Sequence, residues 1–178
     1  RALQRVERRF EHVLDAFGQF AEALGCPQTR VEWRLPVPDD ARDWTAAQLP
    51  RDAPTLLVSP CSSHRLRNWR AERYAAVASQ ALSRGWRVVL CGGPSALERE
   101  VGDAILAAMP ERERALDLIG KDTFKRFLAL CERASILLGP DSGPVHMANA
   151  MGCRVIALHA CTDAERSGPY SDRRWSPN

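Results

Sequence analysis

The chain has 178 residues, 45% of them hydrophobic and 26% charged, with a formal net charge of +3. That length suits one α/β domain with a packed core and is too short for two full ones, and the composition excludes a disordered or fibrous protein. Basic residues are spread along the chain, so charge gives no case for a nucleic-acid partner and any anion site must be local.

In chain order, Leu3, Val6, Phe10, Val13, Leu14, Phe17, Phe20 and Leu24 recur at helical spacing before Gly25, which predicts an amphipathic helix over residues 3–24. Its charged face carries Arg1, Arg5, Arg8 and Arg9. A solvated face is the first expectation for these, and a peripheral contact with anionic lipid is the most they would support. Residues 27–50 are punctuated by proline and hold one short alternating stretch, Val31–Leu35. They read as a linker or an edge segment. The expected organisation is an inter-domain helix and linker over residues 1–50, then an α/β domain over 51–178. The chain begins at Arg1 and ends at Ser176-Pro177-Asn178, which reads as a fragment of a larger protein.

Beyond Pro54, short apolar runs alternate with segments of helical period. Strands are predicted at Thr55–Ser59, Trp86–Cys91, Ala115–Ile119, Ser135–Gly139 and Arg154–Leu158. Helices are predicted at Ala71–Arg84, Ser95–Met109, Thr123–Arg133 and Pro144–Met151. Strands separated by single helices imply a parallel sheet with helices on both faces, a Rossmann-like fold. Such sheets bind ligands beyond the carboxyl ends of their strands.

The six cysteines (Cys26, Cys61, Cys91, Cys131, Cys153 and Cys161) form no C-x-x-C pair, and most lie in apolar runs. Reduced thiols and a cytoplasmic protein are expected. No apolar run approaches the length of a membrane span, and no signal-peptide core is present.

The loop after the first strand holds Ser62 and Ser63, then Arg65, Arg67, Arg70 and Arg73 around a helix start. Cations there oppose the helix dipole, so an anion such as phosphate would relieve them; pairing with Glu72 and nearby acids is the plainer alternative. The loop after the fourth strand, Gly139-Pro140-Asp141-Ser142-Gly143-Pro144-Val145-His146, is the sharpest feature. Pro144 suits the first helical position and Gly143 permits close approach of a ligand to backbone N–H groups, with Asp141, Ser142 and His146 adding directed polar groups. The alternatives are a cap for Asp141 or Ser142 and a core histidine for His146. A hydrolase triad is set aside, because no G-x-S-x-G elbow is present.

Gly92-Gly93-Pro94 fits a tight turn and lacks both G-x-G-x-x-G and G-K-[ST], so neither dinucleotide nor P-loop chemistry is supported. Glu98 is either a ribose acceptor or a first-turn helix acid. Lys121 with Asp122 and Thr123, and Thr162 with Asp163, complete the rim, with Thr123 a candidate N-cap. No cluster has metal-ligand spacing, so no metal and no cofactor are expected.

These segments resemble glycosyltransferase family 9, the ADP-heptose:lipopolysaccharide heptosyltransferases. The resemblance rests on Ser62-Ser63 with Arg67-Asn68-Trp69, Arg87–Pro94, Leu118–Lys121, Gly139–His146, and Thr162-Asp163 with Gly168-Pro169-Tyr170. It implies the C-terminal, donor-binding half of a two-domain GT-B enzyme. It further implies that Ser62, Ser63 and Arg67 contact the donor's phosphates and sugar, Arg67 standing where the family often has lysine. Glu98 is the nearest match to an acid that contacts the nucleoside. Asp141, Ser142, Gly143 and His146 match the donor-binding motif position by position. The resemblance also places the general base and the acceptor wall for the lipopolysaccharide core in an N-terminal domain outside this chain. Other nucleotide-sugar transferases or epimerases, or a non-catalytic nucleotide-binding module, are the alternatives.

Overall fold

A computed structural model describes residue 6, residues 11–26 and residues 31–170. Helix α1 spans Val13–Ala23, α2 Asp39–Gln48 and β1 Thr55–Val58; α3 (Ala71–Ser83), β2 (Arg87–Leu90), α4 (Ala96–Ala107) and β3 (Ala115–Asp117) follow. The chain continues through α5 (Phe124–Arg133), β4 (Ile136–Pro140), α6 (Gly143–Ala150), β5 (Arg154–Leu158) and the single-turn α7 (Ala164–Ser167). The five strands form one parallel sheet in the order β3-β2-β1-β4-β5.

Alternation along β1 shows how both faces are closed. Leu57 joins Val89, Leu137 and Val155 in a core under α5 and α6. Leu56 and Val58 join Val88, Leu90 and Leu138 in a second core under α3 and α4, with Tyr74, Ala78 and Ile105. With helices on both faces, all four β1 residues are buried, which is why the strands read as unbroken apolar runs.

The predicted strands and the four central helices are present, with ends moved by one or two residues. The first helix begins at Val13, capped by His12; the predicted turns before residue 11, and Arg1, Arg5, Arg8 and Arg9, lie outside the described residues or, for Val6, outside any helix. Val31–Leu35 forms no strand. The stretch expected as linker instead contains α2, which opens after Pro38 with two acids in its first turn. Its Ala41 meets Leu128 and Ala129 of α5, and Leu49 just beyond it reaches the main core at 2% exposure.

Helix α1 is tied to the far end of the described chain. His12 Nε2 lies 2.9 Å from the Gly168 carbonyl oxygen, and Tyr170 donates its hydroxyl to Asp15 at 2.6 Å. The His12 and Tyr170 rings stand 4.9 Å apart. Among the described residues no helix is long and apolar enough to cross a membrane.

Candidate functional site

The chain leaves β1 for β2 and β3 on one side of the sheet, then returns to place β4 and β5 on the other. The loops after β1 and β4 therefore diverge at the sheet's centre, the place where parallel α/β sheets open a crevice. Gly139 fixes the spacing there, because a Cβ on it would stand 2.6 Å from the Ser59 carbonyl oxygen. Only a residue without a side chain lets the two strand ends lie so close.

The loop after β1 is locked by Asn68. Its side-chain oxygen accepts the Ser62 N–H at 2.7 Å, its amide reaches the Ser62 carbonyl at 3.4 Å, and Ser62 Oγ accepts from the His64 N–H at 3.1 Å. Ser62 is thereby buried and Ser63 exposed. A 3-10 turn over Arg65–Arg67 then swings Arg67 across the crevice. The four arginines do not converge on one anion position. Arg65 turns to Glu100 at 3.3 Å, and Arg70 and Arg73 are exposed. Arg67 faces Asp141 at 3.8 Å, and its buried Nε has no hydrogen-bond partner among the described residues.

Asp141 is the hub. It is buried and accepts the Thr162 hydroxyl at 2.7 Å, while His146 Nε2 lies 3.5 Å from its other oxygen. His146, then Thr162, hold its carboxyl below the usual range against the opposing effect of burial. Thr162 has spent its proton on Asp141, so His159, with Nδ1 3.0 Å from Thr162 Oγ1, is the donor in that pair. Burial lowers the pKa of His159, and its Nε2 has no partner among the described residues. His146 is a rim residue, its side chain 45% exposed. Ser142 is the N-cap residue of α6, yet its hydroxyl donates to the Pro140 carbonyl at 3.0 Å and caps nothing. Gly143, not Pro144, takes the first helical position and is exposed; Pro144 carries no N–H and the Val145 N–H returns to the Ser142 carbonyl at 3.2 Å, so it is the Gly143 amide that this helix start offers to the crevice.

Beside this hub lies a cavity of about 380 Å³ lined by Ser59, Glu98, Asp122, Phe124, Phe127 and Pro144, among others. Glu98 forms a variant of the capping box: Ser95 Oγ accepts the Glu98 N–H at 3.2 Å, and the Glu98 carboxylate takes the Ser95 hydroxyl at 2.6 Å and, in place of the N-cap amide, the Gly93 N–H at 2.7 Å. A Cβ on Gly92 or Gly93 would come within 3.0 Å of that carboxylate, which accounts for the glycine pair better than a tight turn does. Replacing Glu98 by alanine should cost about 1 kcal/mol, a fall in Tm of roughly 2–4 °C, while glutamine keeps most of the stability. Equal melting of parent and alanine variant would show that the box carries no weight.

Two predicted rim residues are committed elsewhere. Lys121 donates to the Asp117 carbonyl at 2.8 Å, and Asp163 caps α7 by accepting the Glu165 N–H at 2.8 Å. Thr123 caps α5 as expected. Among the described residues no three His, Cys, Asp or Glu side chains are grouped to hold a metal ion. Two residues of the site were not expected from the sequence: Asn68 as a clamp, and His159.

A parallel sheet with a polar hub at its switch point and an open helix N-terminus beside it defines a Rossmann-like α/β domain of the GT-B kind. The chain belongs to glycosyltransferase family 9, the heptosyltransferases, whose sequence profile matches residues 3–175. It is 34% identical over 161 residues to the lipopolysaccharide core heptosyltransferase OpsX of Haemophilus influenzae, covering 90% of this chain and 46% of that protein. A family 9 glycosyltransferase from Veillonella parvula superposes with a TM-score of 0.85 at 23% identity, over 96% of this chain and 50% of that one. The ADP-heptose lipopolysaccharide heptosyltransferase II of E. coli does so with a TM-score of 0.73 at 26% identity, over 85% and 46%. The chain therefore spans about half the length of these relatives.

Proposed function

We propose that this chain is the donor-binding half of an inverting, metal-independent heptosyltransferase, which moves heptose from ADP-heptose to the lipopolysaccharide core. The observation that carries the reading is the meeting of Arg67, Asp141 and His146 beside the open N-terminus of α6. A diphosphate there would receive the guanidinium, the Gly143 amide at the start of α6 and the neighbouring serine hydroxyls of Ser62 and Ser63. Such preorganised donors meet the negative charge that grows on the leaving ADP as the glycosidic bond breaks. The adenosine would enter the cavity beside Glu98. The remaining half of the enzyme would supply the general base and the acceptor wall. Residues 1–50 would connect the halves, the last dozen packing against the donor side, and residues 51–178 would form the donor domain. Work in the cytoplasm, with at most a peripheral contact at the inner membrane, fits the unpaired thiols.

Calorimetry with ADP-heptose, UDP-N-acetylglucosamine and NAD tests the reading. Selective binding of the first supports it, and binding of none of them overturns it. Arg67→Met sharpens the test. The pair with Asp141 is long and the arginine side chain is 37% exposed, so the empty variant should melt within about 2 °C of the parent. Its affinity for ADP-heptose should fall tenfold or more, reflecting the roughly 1.5–3 kcal/mol of a charge-assisted hydrogen bond. Added salt should narrow that difference. An unchanged affinity would place the diphosphate elsewhere.

A further inference from the structure

We propose that Asp122 reads the donor's nucleobase as a neutral carboxylic acid, pairing with adenine through one donated and one accepted hydrogen bond. The proposal rests on assigning the cavity beside Glu98 to the nucleotide.

Asp122 sits between the turn at Gly120, whose φ is +75°, and the cap residue Thr123. Its half-buried carboxyl lines the cavity together with Phe124, Phe127 and Pro94, a slot with apolar walls suited to a flat ring. Both Glu98 oxygens are engaged by the loop they hold. Among the described residues Asp122, by contrast, accepts only from its own backbone N–H, and no cation pairs with it. Its neighbour Lys121 is bound to the Asp117 carbonyl. Arg126, one turn along α5, lies over the Trp44 ring and reaches the Lys121 carbonyl. The other titratable groups that act on it or feel it are the Glu98 carboxylate and the buried thiols of Cys91 and Cys131. Burial, with the Glu98 charge adding to it, pushes the Asp122 carboxyl up to about 7.

The two protonation states match different bases. Adenine presents its N6 amino donor beside a ring-nitrogen acceptor, which a neutral carboxyl complements with C=O and O–H. Guanine presents two adjacent donors, N1–H and the N2 amino group, which a carboxylate complements with two acceptors. Adenine binding should therefore take up a proton near neutrality, and guanine binding should not. In sign, a ligand that favours the protonated form loses affinity as pH rises through the carboxyl's pKa.

The experiment measures dissociation constants of ADP and GDP for the parent and for Asp122→Asn between pH 6 and 8.5. Titration of the diphosphate is common to both ligands and cancels in their ratio. For the parent, the preference for ADP should shrink about fivefold or more as pH rises. For Asp122→Asn, a permanently neutral donor and acceptor, the preference should stay flat. Calorimetry of the parent with ADP at pH 7.5, in two buffers of different ionisation enthalpy, should show net proton uptake and needs no variant. A flat parent ratio without proton uptake overturns the proposal while leaving the nucleotide site standing. Failure of ADP to bind at any pH overturns the nucleotide site itself.

Discussion

Replacing Asp141 by alanine is expected to lower transfer by roughly 10²–10³-fold in the full-length enzyme, the scale seen when a preorganised electrostatic element is removed. The carboxylate does not itself suit a diphosphate, which it would repel. Its work is positional: it holds the Thr162 hydroxyl at 2.7 Å, His146 at 3.5 Å and Arg67 at 3.8 Å around one buried point. Without it Arg67 and His146 lose their anchor, and a half-buried hydroxyl loses its acceptor at a cost of about 1–3 kcal/mol. Asp141→Asn separates charge from shape, because the amide oxygen can still accept from Thr162. Asparagine should therefore melt closer to the parent than alanine does, yet lose most of the activity.

The pH dependence carries its own sign. A carboxyl held below its ordinary range contributes stability above its unfolded pKa and loses it as pH falls through the folded one. The melting advantage of the parent over Asp141→Asn should be full at neutral pH, begin to fall below about pH 4 and be gone once the pH lies below the depressed pKa of the folded carboxyl. A difference that persists undiminished there would mean that packing, not charge, sets the role of Asp141. Unaltered donor KM and kcat in the asparagine variant would remove it from the site.

The second large effect is expected at Gly139. A methyl group there would meet the Ser59 carbonyl oxygen at 2.6 Å and Val145 at 3.5 Å, and the first of these is backbone held in the ladder by the Ser59 N–H to Leu138 bond. The strand ends must then separate. Overpacking of this kind costs about 1–3 kcal/mol, so Gly139→Ala should lower Tm by roughly 2–12 °C. The loops carrying Ser62 and Asp141 spring from those strand ends, so donor affinity should drop in the same variant even below its melting point. If Gly139→Ala melts with the parent, the strands have room to yield and the close approach is not what shapes the crevice.

The sheet was readable because its strands are buried on both faces and therefore appear as short apolar runs with helical period between them. Helix α2 escaped because its stretch, Asp39–Gln48, is polar and buries only Ala41 and Thr45. Pro38 followed by two acids was the available signal. Asp141 and His146 were visible as polar residues framing a glycine and a proline. Their mutual contact, and that with Arg67, depended on strand order, which no local pattern states. The arginine cluster misled for the same reason. Four charges near one helix start suggest a single focus, whereas the 3-10 turn sends Arg65 and Arg67 to different acids. Asp122 could be named as a rim residue from sequence, but its uncommitted carboxyl is a property of the walls packed around it.

The tie between α1 and the end of the described chain also bears on the order of events during synthesis. His12 meets Gly168 across 156 positions, and Asp15 meets Tyr170 across 155. Contacts of such separation carry a large loop-closure entropy and form late. On the ribosome, α1 emerges before the rest of this domain and must wait for nearly all of it to be translated before its docking partners exist. Phe17 and Phe20, still 62% and 57% exposed after docking, would stay open to chaperones throughout that interval. The same geometry makes α1 the element most readily shed by the native protein, so its amides should exchange with solvent well ahead of those in β1 and β4.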